Sequence, residues 1–151
     1  MRVQDVMTVG VQTAKPAGKA DEAWNVMRAK RIHHLVVTEG ARIVGILSDR
    51  DAGGHRGASV RDGRTVADLM TEPAVTVAPE TTVRKAANLM RGRSIGCLVV
   101  ERGGRAVGIV TVSDLLDLLG RGFDRGVEKR ERRSLNHRAP HRKRNRSTGP
   151  W

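Results

Sequence analysis

The chain states one pattern twice, 63 positions apart, with no insertion needed to keep the copies in register. Met7-Thr8 returns as Met70-Thr71, Asn25-x-Met27-Arg28 as Asn88-x-Met90-Arg91, and Leu35-Val36-Val37 as Leu98-Val99-Val100. Gly40-x-Arg42 returns as Gly103-x-Arg105, and Val44-Gly45-Ile46 as Val107-Gly108-Ile109. About 21 of the 57 positions aligned between residues 1–57 and 64–120 are identical, which marks two structural copies of one unit. Two copies are too few for a solenoid. A unit of about 60 residues buries only about 60% of the surface its unfolded chain exposes, so each copy should lean on the other. The expectation is one two-lobed globule: a first unit over 1–60, a second over 61–120, and a remainder over 121–151.

That remainder differs in composition. It holds 11 of the 28 Lys and Arg and only three acids, and so supplies +8 of the formal +12. Rich in Arg, Pro, Gly and Ser, it lacks the apolar surface that would offset chain entropy, so disorder is expected over His137–Trp151, with Gly120-Arg-Gly122 as the boundary. The 38% apolar content is enough for a modest core. No apolar run approaches 18 residues, and Met1-Arg-Val-Gln-Asp does not read as a signal peptide, so a cytoplasmic protein without membrane insertion is expected. Cys97 is the single cysteine, which excludes an intramolecular disulfide and a multi-cysteine metal site.

Each copy reads alike. An extended stretch, Val9 to Ala14 or Ala74 to Ala78, precedes a Pro and then a helix. Ala20, Ala23, Trp24 and Met27 fall on one helical stripe, and Val83, Ala86, Ala87 and Met90 repeat it. Two β runs joined by a tight turn follow, Leu35–Thr38 with Arg42–Leu47, and Leu98–Glu101 with Arg105–Val110. The leucines of Ser113–Leu119 then predict a packed helix. The first copy departs here: Ala52-Gly-Gly-His-Arg-Gly57 has no apolar face and too much glycine for a helix.

These marks resemble a pair of CBS domains, also called a Bateman module, over residues 1 to about 120. The resemblance rests on the Met-Thr openings, the Leu-Val-Val strands, and the paired heptapeptides Gly45-Ile-Leu-Ser48-Asp-Arg-Asp51 and Gly108-Ile-Val-Thr111-Val-Ser-Asp114. It implies an α+β (α/β) fold of two repeats, each strand-helix-strand-strand-helix, packed sheet to sheet about a pseudo-twofold axis. It also implies an adenosine-containing ligand in the clefts between them (AMP, ADP, ATP, NAD or S-adenosylmethionine) and a homodimer. By the same resemblance the adenine would lie against Val11 and Thr13, or Val75 and Thr76. The walls opposite would be Ile32-His33-His34 and Ile95-Gly96-Cys97.

The heptapeptide has chemistry of its own. A strand ending in Ser48 or Thr111 and turning into a helix offers backbone N–H groups and a helix dipole to phosphate. One turn on, Asp51 or Asp114 can accept from ribose hydroxyls. Arg50 adds a guanidinium in the first site where the second has Ser113, so the two should differ in phosphate affinity. The same pairs, Ser48-x-x-Asp51 and Thr111-x-x-Asp114, also fit capping boxes that need no ligand. What capping leaves over is the glycine that recurs upstream, where a missing side chain would let a ligand approach the backbone. His33 and His34 are adjacent, point to opposite faces of a strand and cannot easily share one metal. His55 reads as part of a solvated turn, and Asp5 and Asp68 as caps.

No catalytic motif is present: no Gly-x-Ser-x-Gly elbow, phosphate-binding loop or His-Glu-x-x-His. A regulatory, non-enzymatic binding module without a catalytic cofactor is the leading expectation. A nucleic-acid- or ribosome-associated protein that uses the basic segment nonspecifically, with the repeat as scaffold, is the alternative. A ligand-free structural pair is the third reading.

Overall fold

A computed structural model describes residues 1–121; the segment beyond Arg121, with the disorder and nucleic-acid role expected of it, lies outside the described residues. In the first copy the elements are α1 (Val3–Val6), β1 (Thr8–Val9), β2 (Thr13–Ala14), α2 (Ala20–Lys30), β3 (His34–Glu39), β4 (Arg42–Ser48) and α3 (Ala58–Arg61). The second copy contributes α4 (Val66–Leu69), β5 (Thr76–Val77), α5 (Val83–Arg93), β6 (Cys97–Arg102), β7 (Arg105–Thr111) and α6 (Val112–Arg121). The α+β architecture expected from the repeat is the one observed.

Helix α2 buries Ala20, Ala23, Trp24 and Met27, the full stripe read from the sequence. In α5, Ala86 and Met90 are buried, while Val83 and Ala87 are half-buried. Both helices end on a left-handed residue, Arg31 at φ 54° and Ser94 at φ 51°. The following amides, Ile32 and Ile95, bond back to the carbonyls of Met27 and Met90, so the turn satisfies the helix end without glycine. The hairpins β3–β4 and β6–β7 turn through Gly40 and Gly103, both at φ 58°, where a side chain would be strained.

The strands form two sheets, β2-β3-β4 and β1-β7-β6-β5. β1 belongs to the first copy by sequence, yet it pairs antiparallel with β7 of the second, Thr8 opposite Ile109 and Val9 opposite Gly108. The reverse crossing joins Thr71 to Ile46 by two backbone bonds of 2.8 and 3.0 Å. The stretch Val9 to Ala14 is therefore not one extended segment. Gly10, at φ 79°, breaks it, and its two ends pair with different sheets.

The cores follow this exchange. Val3, Val6 and Met7 pack with Val77, Met90, Leu98, Val110 and Leu118 of the second copy. Val66 packs with Trp24, Met27, Leu35 and Leu47 of the first, with Leu69 and Met70 against the same cluster. Burying each such side chain is worth about 1.5–3 kcal/mol, so the exchange is a substantial part of what joins the lobes. A third cluster, Val36, Ile46, Cys97 and Val99, is the apolar layer between the two sheets.

The exchange also accounts for the recurring glycines. A Cβ on Gly45 would lie 2.8 Å from the Thr71 carbonyl oxygen and 3.0 Å from the Met70 sulfur. On Gly108 it would lie 2.7 Å from the Thr8 carbonyl oxygen and 2.8 Å from the Met7 sulfur. These positions lack a side chain so that the other copy's Met-Thr segment can dock, which corrects the reading of them as ligand approaches. The caps are as expected: Arg2 and Thr65 donate their amides to Asp5 and Asp68 at 2.8 and 2.9 Å. The bonds from Thr65 hold the Asp68 carboxyl below its ordinary value.

After β4 the chain makes turns rather than a helix, as its glycines predict, and α3 is a single turn. After β7 it enters α6 directly.

Candidate ligand-binding cleft

In β3–β4 the ladder ends at His34 opposite Ser48, and in β6–β7 at Cys97 opposite Thr111. Because the sheets pack face to face, these two ends open into one continuous cleft of about 1150 Å³. That exceeds the roughly 300–1,000 Å³ typical of a pocket for one small molecule. The two sites expected from the sequence are thus halves of a single opening.

Val11, His33, His34, Ser48, Arg50 and Asp51 line the first half, and Val75, Ile95, Gly96, Cys97, Thr111 and Ser113 the second. Three expected residues do not line it. Thr13 and Thr76 already pair with Val36 and Val99, two residues along β3 and β6 from the ends that face the cleft. Asp114 is fully buried.

The first half is densely charged. Asp51 accepts from the Ser48 amide at 3.1 Å and from the Thr71 hydroxyl at 3.2 Å, while its own amide donates to Ser48 Oγ at 2.9 Å. The capping box is real, and Asp51 still lines the cleft. His33 Nδ1 lies 2.8 Å from Asp49 Oδ2 in an exposed pair. His34 is half-buried. Loss of hydration on burial holds its imidazole below the ordinary histidine value, with Asp49 and Asp51 opposing and His33 reinforcing the shift. Arg31 and Asp49 also line the cleft and were missed by the sequence reading. Both adjoin residues it selected, and Arg31 stands exposed at the left-handed end of α2, a conformation no local pattern announces. His55 sits edge-on to Trp24, ring centroids 5.4 Å apart, and does not line the cleft.

The second half is neutral. Asp114 accepts from the Thr111 amide at 2.7 Å and hydroxyl at 3.1 Å, and the Val112 amide donates to the Gly96 carbonyl at 3.1 Å. The positive end of α6 is thereby occupied by the helix's own buried carboxylate. Cys97 fills the apolar layer, and burial pushes its thiol pKa up to about 12.

A family profile for the CBS domain matches residues 3–52 and 66–121. The chain belongs to the CBS domain family. This CBS pair is 32% identical over 114 residues to the CBS domain-containing protein YhcV of Bacillus subtilis, covering 75% of this chain and 81% of that one. It is 30% identical over 119 residues to homoserine O-acetyltransferase of Methanohalobium evestigatum, covering 78% of this chain but only 24% of the enzyme. Among solved structures it resembles the CBS domain pair of protein MJ0100 in complex with 5′-methylthioadenosine and S-adenosyl-L-methionine. There the TM-score is 0.72 at 26% identity, covering 80% of this chain and all of that one. Among the described residues no helix is long and apolar enough to cross a membrane.

Proposed function

We propose that this CBS pair is a regulatory module whose cleft binds an adenosine-containing ligand, and that binding shifts how the two lobes, or two copies of the chain in a homodimer, pack. The observation that carries the reading is the first half of the cleft. There Asp51 lines the opening one turn after Ser48, beside Arg50 and the adjacent histidines. A carboxylate in that place suits vicinal ribose hydroxyls, and a guanidinium beside it suits phosphate or carboxylate. The likeness to a CBS pair holding methylthioadenosine and S-adenosylmethionine supports the adenosyl class. A ligand can move the packing equilibrium only by its differential affinity for the two arrangements. The cleft provides that lever, since its walls come from both lobes.

The test is calorimetric titration of the nucleic-acid-free protein with AMP, ATP, NAD and S-adenosylmethionine, repeated on Asp51→Asn and Asp114→Asn. Saturable binding is expected, weakened about tenfold or more by Asp51→Asn, the size of a lost charge-assisted hydrogen bond. Asp114→Asn should instead lower stability by about 1–2 kcal/mol through its buried cap. No heat with any of the four ligands would sink the adenosyl reading.

A further inference from the structure

The first copy lacks the helix that follows the last strand in the second, and the space is filled from elsewhere. Arg61, in the single turn α3, is 5% exposed. Its Nη1 donates to the carbonyls of Ala52 and Gly54 at 2.7 and 2.8 Å, and its Nε reaches Asp21 Oδ1 at 3.3 Å. Its guanidinium carbon lies 4.3 Å from the centroid of the Trp24 ring. In a continuing helix those two carbonyls would accept amides from residues four places on. Here the chain has turned away, with Gly53 at φ 90°, and the Gly54 carbonyl takes the Gly57 amide at 3.1 Å instead. Gly57 is folded so closely on Gly53 that a Cβ would collide with the Gly53 carbonyl. One cation thus supplies donors the missing helix would have supplied, and stacks the turn on α2.

Position gives this arrangement a consequence for the cleft. Ala52 directly follows Asp51, so the carbonyl that Arg61 grips belongs to the same turn that presents Arg50 and Asp51. Nothing comparable is needed in the second copy, where α6 itself fixes Thr111 and Asp114. A planar guanidinium can bind two carbonyls and stack at once, whereas an ammonium cannot do all three.

We propose that Arg61 is a positioning residue for the first half of the cleft, holding the turn that carries Arg50 and Asp51 in the shape that offers them to a ligand. The ligand part of this inference rests on the adenosyl reading above; the part that concerns the turn does not.

The experiment compares the full-length protein with Arg61→Met, which keeps an unbranched buried chain without donors, and with Arg61→Lys. Amide exchange is followed by mass spectrometry over residues 49–57 and 112–121, alongside calorimetric titration with AMP and S-adenosylmethionine. Exchange over 49–57 should quicken at least tenfold in Arg61→Met and by less in Arg61→Lys, with 112–121 unchanged. Affinity should fall about tenfold for a ligand that also loses affinity in Asp51→Asn. Equal exchange over 49–57 in the variants and the parent would overturn the role, as would faster exchange with affinity intact. A uniform rise over both segments would reduce Arg61 to a general stabiliser. Should the parent bind neither ligand, the adenosyl reading fails and the exchange comparison alone decides whether Arg61 holds the turn. Arg61→Lys keeps the comparison open if Arg61→Met does not fold.

Discussion

Position for position, Arg31, His33, His34, Asp49 and Arg50 of the first half correspond to Ser94, Gly96, Cys97, Val112 and Ser113 of the second. Every one of these exchanges replaces an ionisable group by a neutral one. Between them the residues that shape the backbone are kept: Ile32 and Ile95, Gly45 and Gly108, Asp51 and Asp114, with Ser48 matched by Thr111. Even the retained aspartates differ in situation, Asp51 lining the cleft and Asp114 buried in the first turn of its helix. The comparison separates two demands on one motif. Docking of the neighbouring copy and capping of the turn hold the kept residues in place. On the proposed function the rest would answer to whatever enters the cleft, and it is there that the halves differ.

The largest effect should come from the kept class. Gly45→Ala and Gly108→Ala each force a methyl against the opposing copy's backbone, and each should cost about 1–3 kcal/mol by overpacking. Denaturant midpoints at unchanged slope are the measurement, and matching losses are expected because the two crossings mirror each other. A large loss at only one would mean that the exchange is not shared equally. Next come the charges. Arg50→Ser should weaken an anionic ligand several-fold relative to uncharged adenosine, and Ser113→Arg should add anion affinity to the neutral half, both read by calorimetry as the AMP-to-adenosine ratio. If Arg50→Ser leaves that ratio unaltered, the charge difference has no bearing on ligand choice. The smallest effect concerns His34. Its folded pKa is depressed, so between that value and the unfolded value near 6.5 the unfolded chain binds more protons. Stability should therefore rise with pH across that window and fall as the solution is acidified through it. His34→Cys, which installs the second copy's residue, should flatten the dependence of the melting temperature on pH; an unaltered slope would place its origin elsewhere.

Much of the fold was legible because its signals are local. The stripe of α2, both hairpins and the caps at Asp5 and Asp68 depend on spacings of two to four residues, which a sequence displays directly. The crossing of β1 was not legible, because backbone pairing partners leave no periodic trace and Thr8 could as well have met its own copy as the other. The recurrence of the glycines is visible in the sequence, but the chain that occupies the vacated space comes from the other copy, Met70-Thr71 over Gly45 and Met7-Thr8 over Gly108. Most of the candidate site was found from the heptapeptides and their neighbours. What escaped depended on tertiary placement: Asp114 is buried, Thr13 and Thr76 are carried past the cleft by their strands, and Arg31 and Asp49 lie along it. Arg61 could not be read at all, since a lone arginine near a glycine-rich turn has no pattern to break.

The amino-terminal residues finish a core that the chain has barely begun to make when they emerge. Val3 and Val6 await Val110 and Leu118, and the Val3 amide awaits the Thr81 carbonyl 2.7 Å away, all of them synthesised far later. On a ribosome that delivers about 5–20 residues each second, those valines have no lasting home for several seconds, and the lobe they complete must wait until nearly the whole repeat has been translated. A start shifted past Val6 would accordingly injure the half of the molecule farthest from it along the chain.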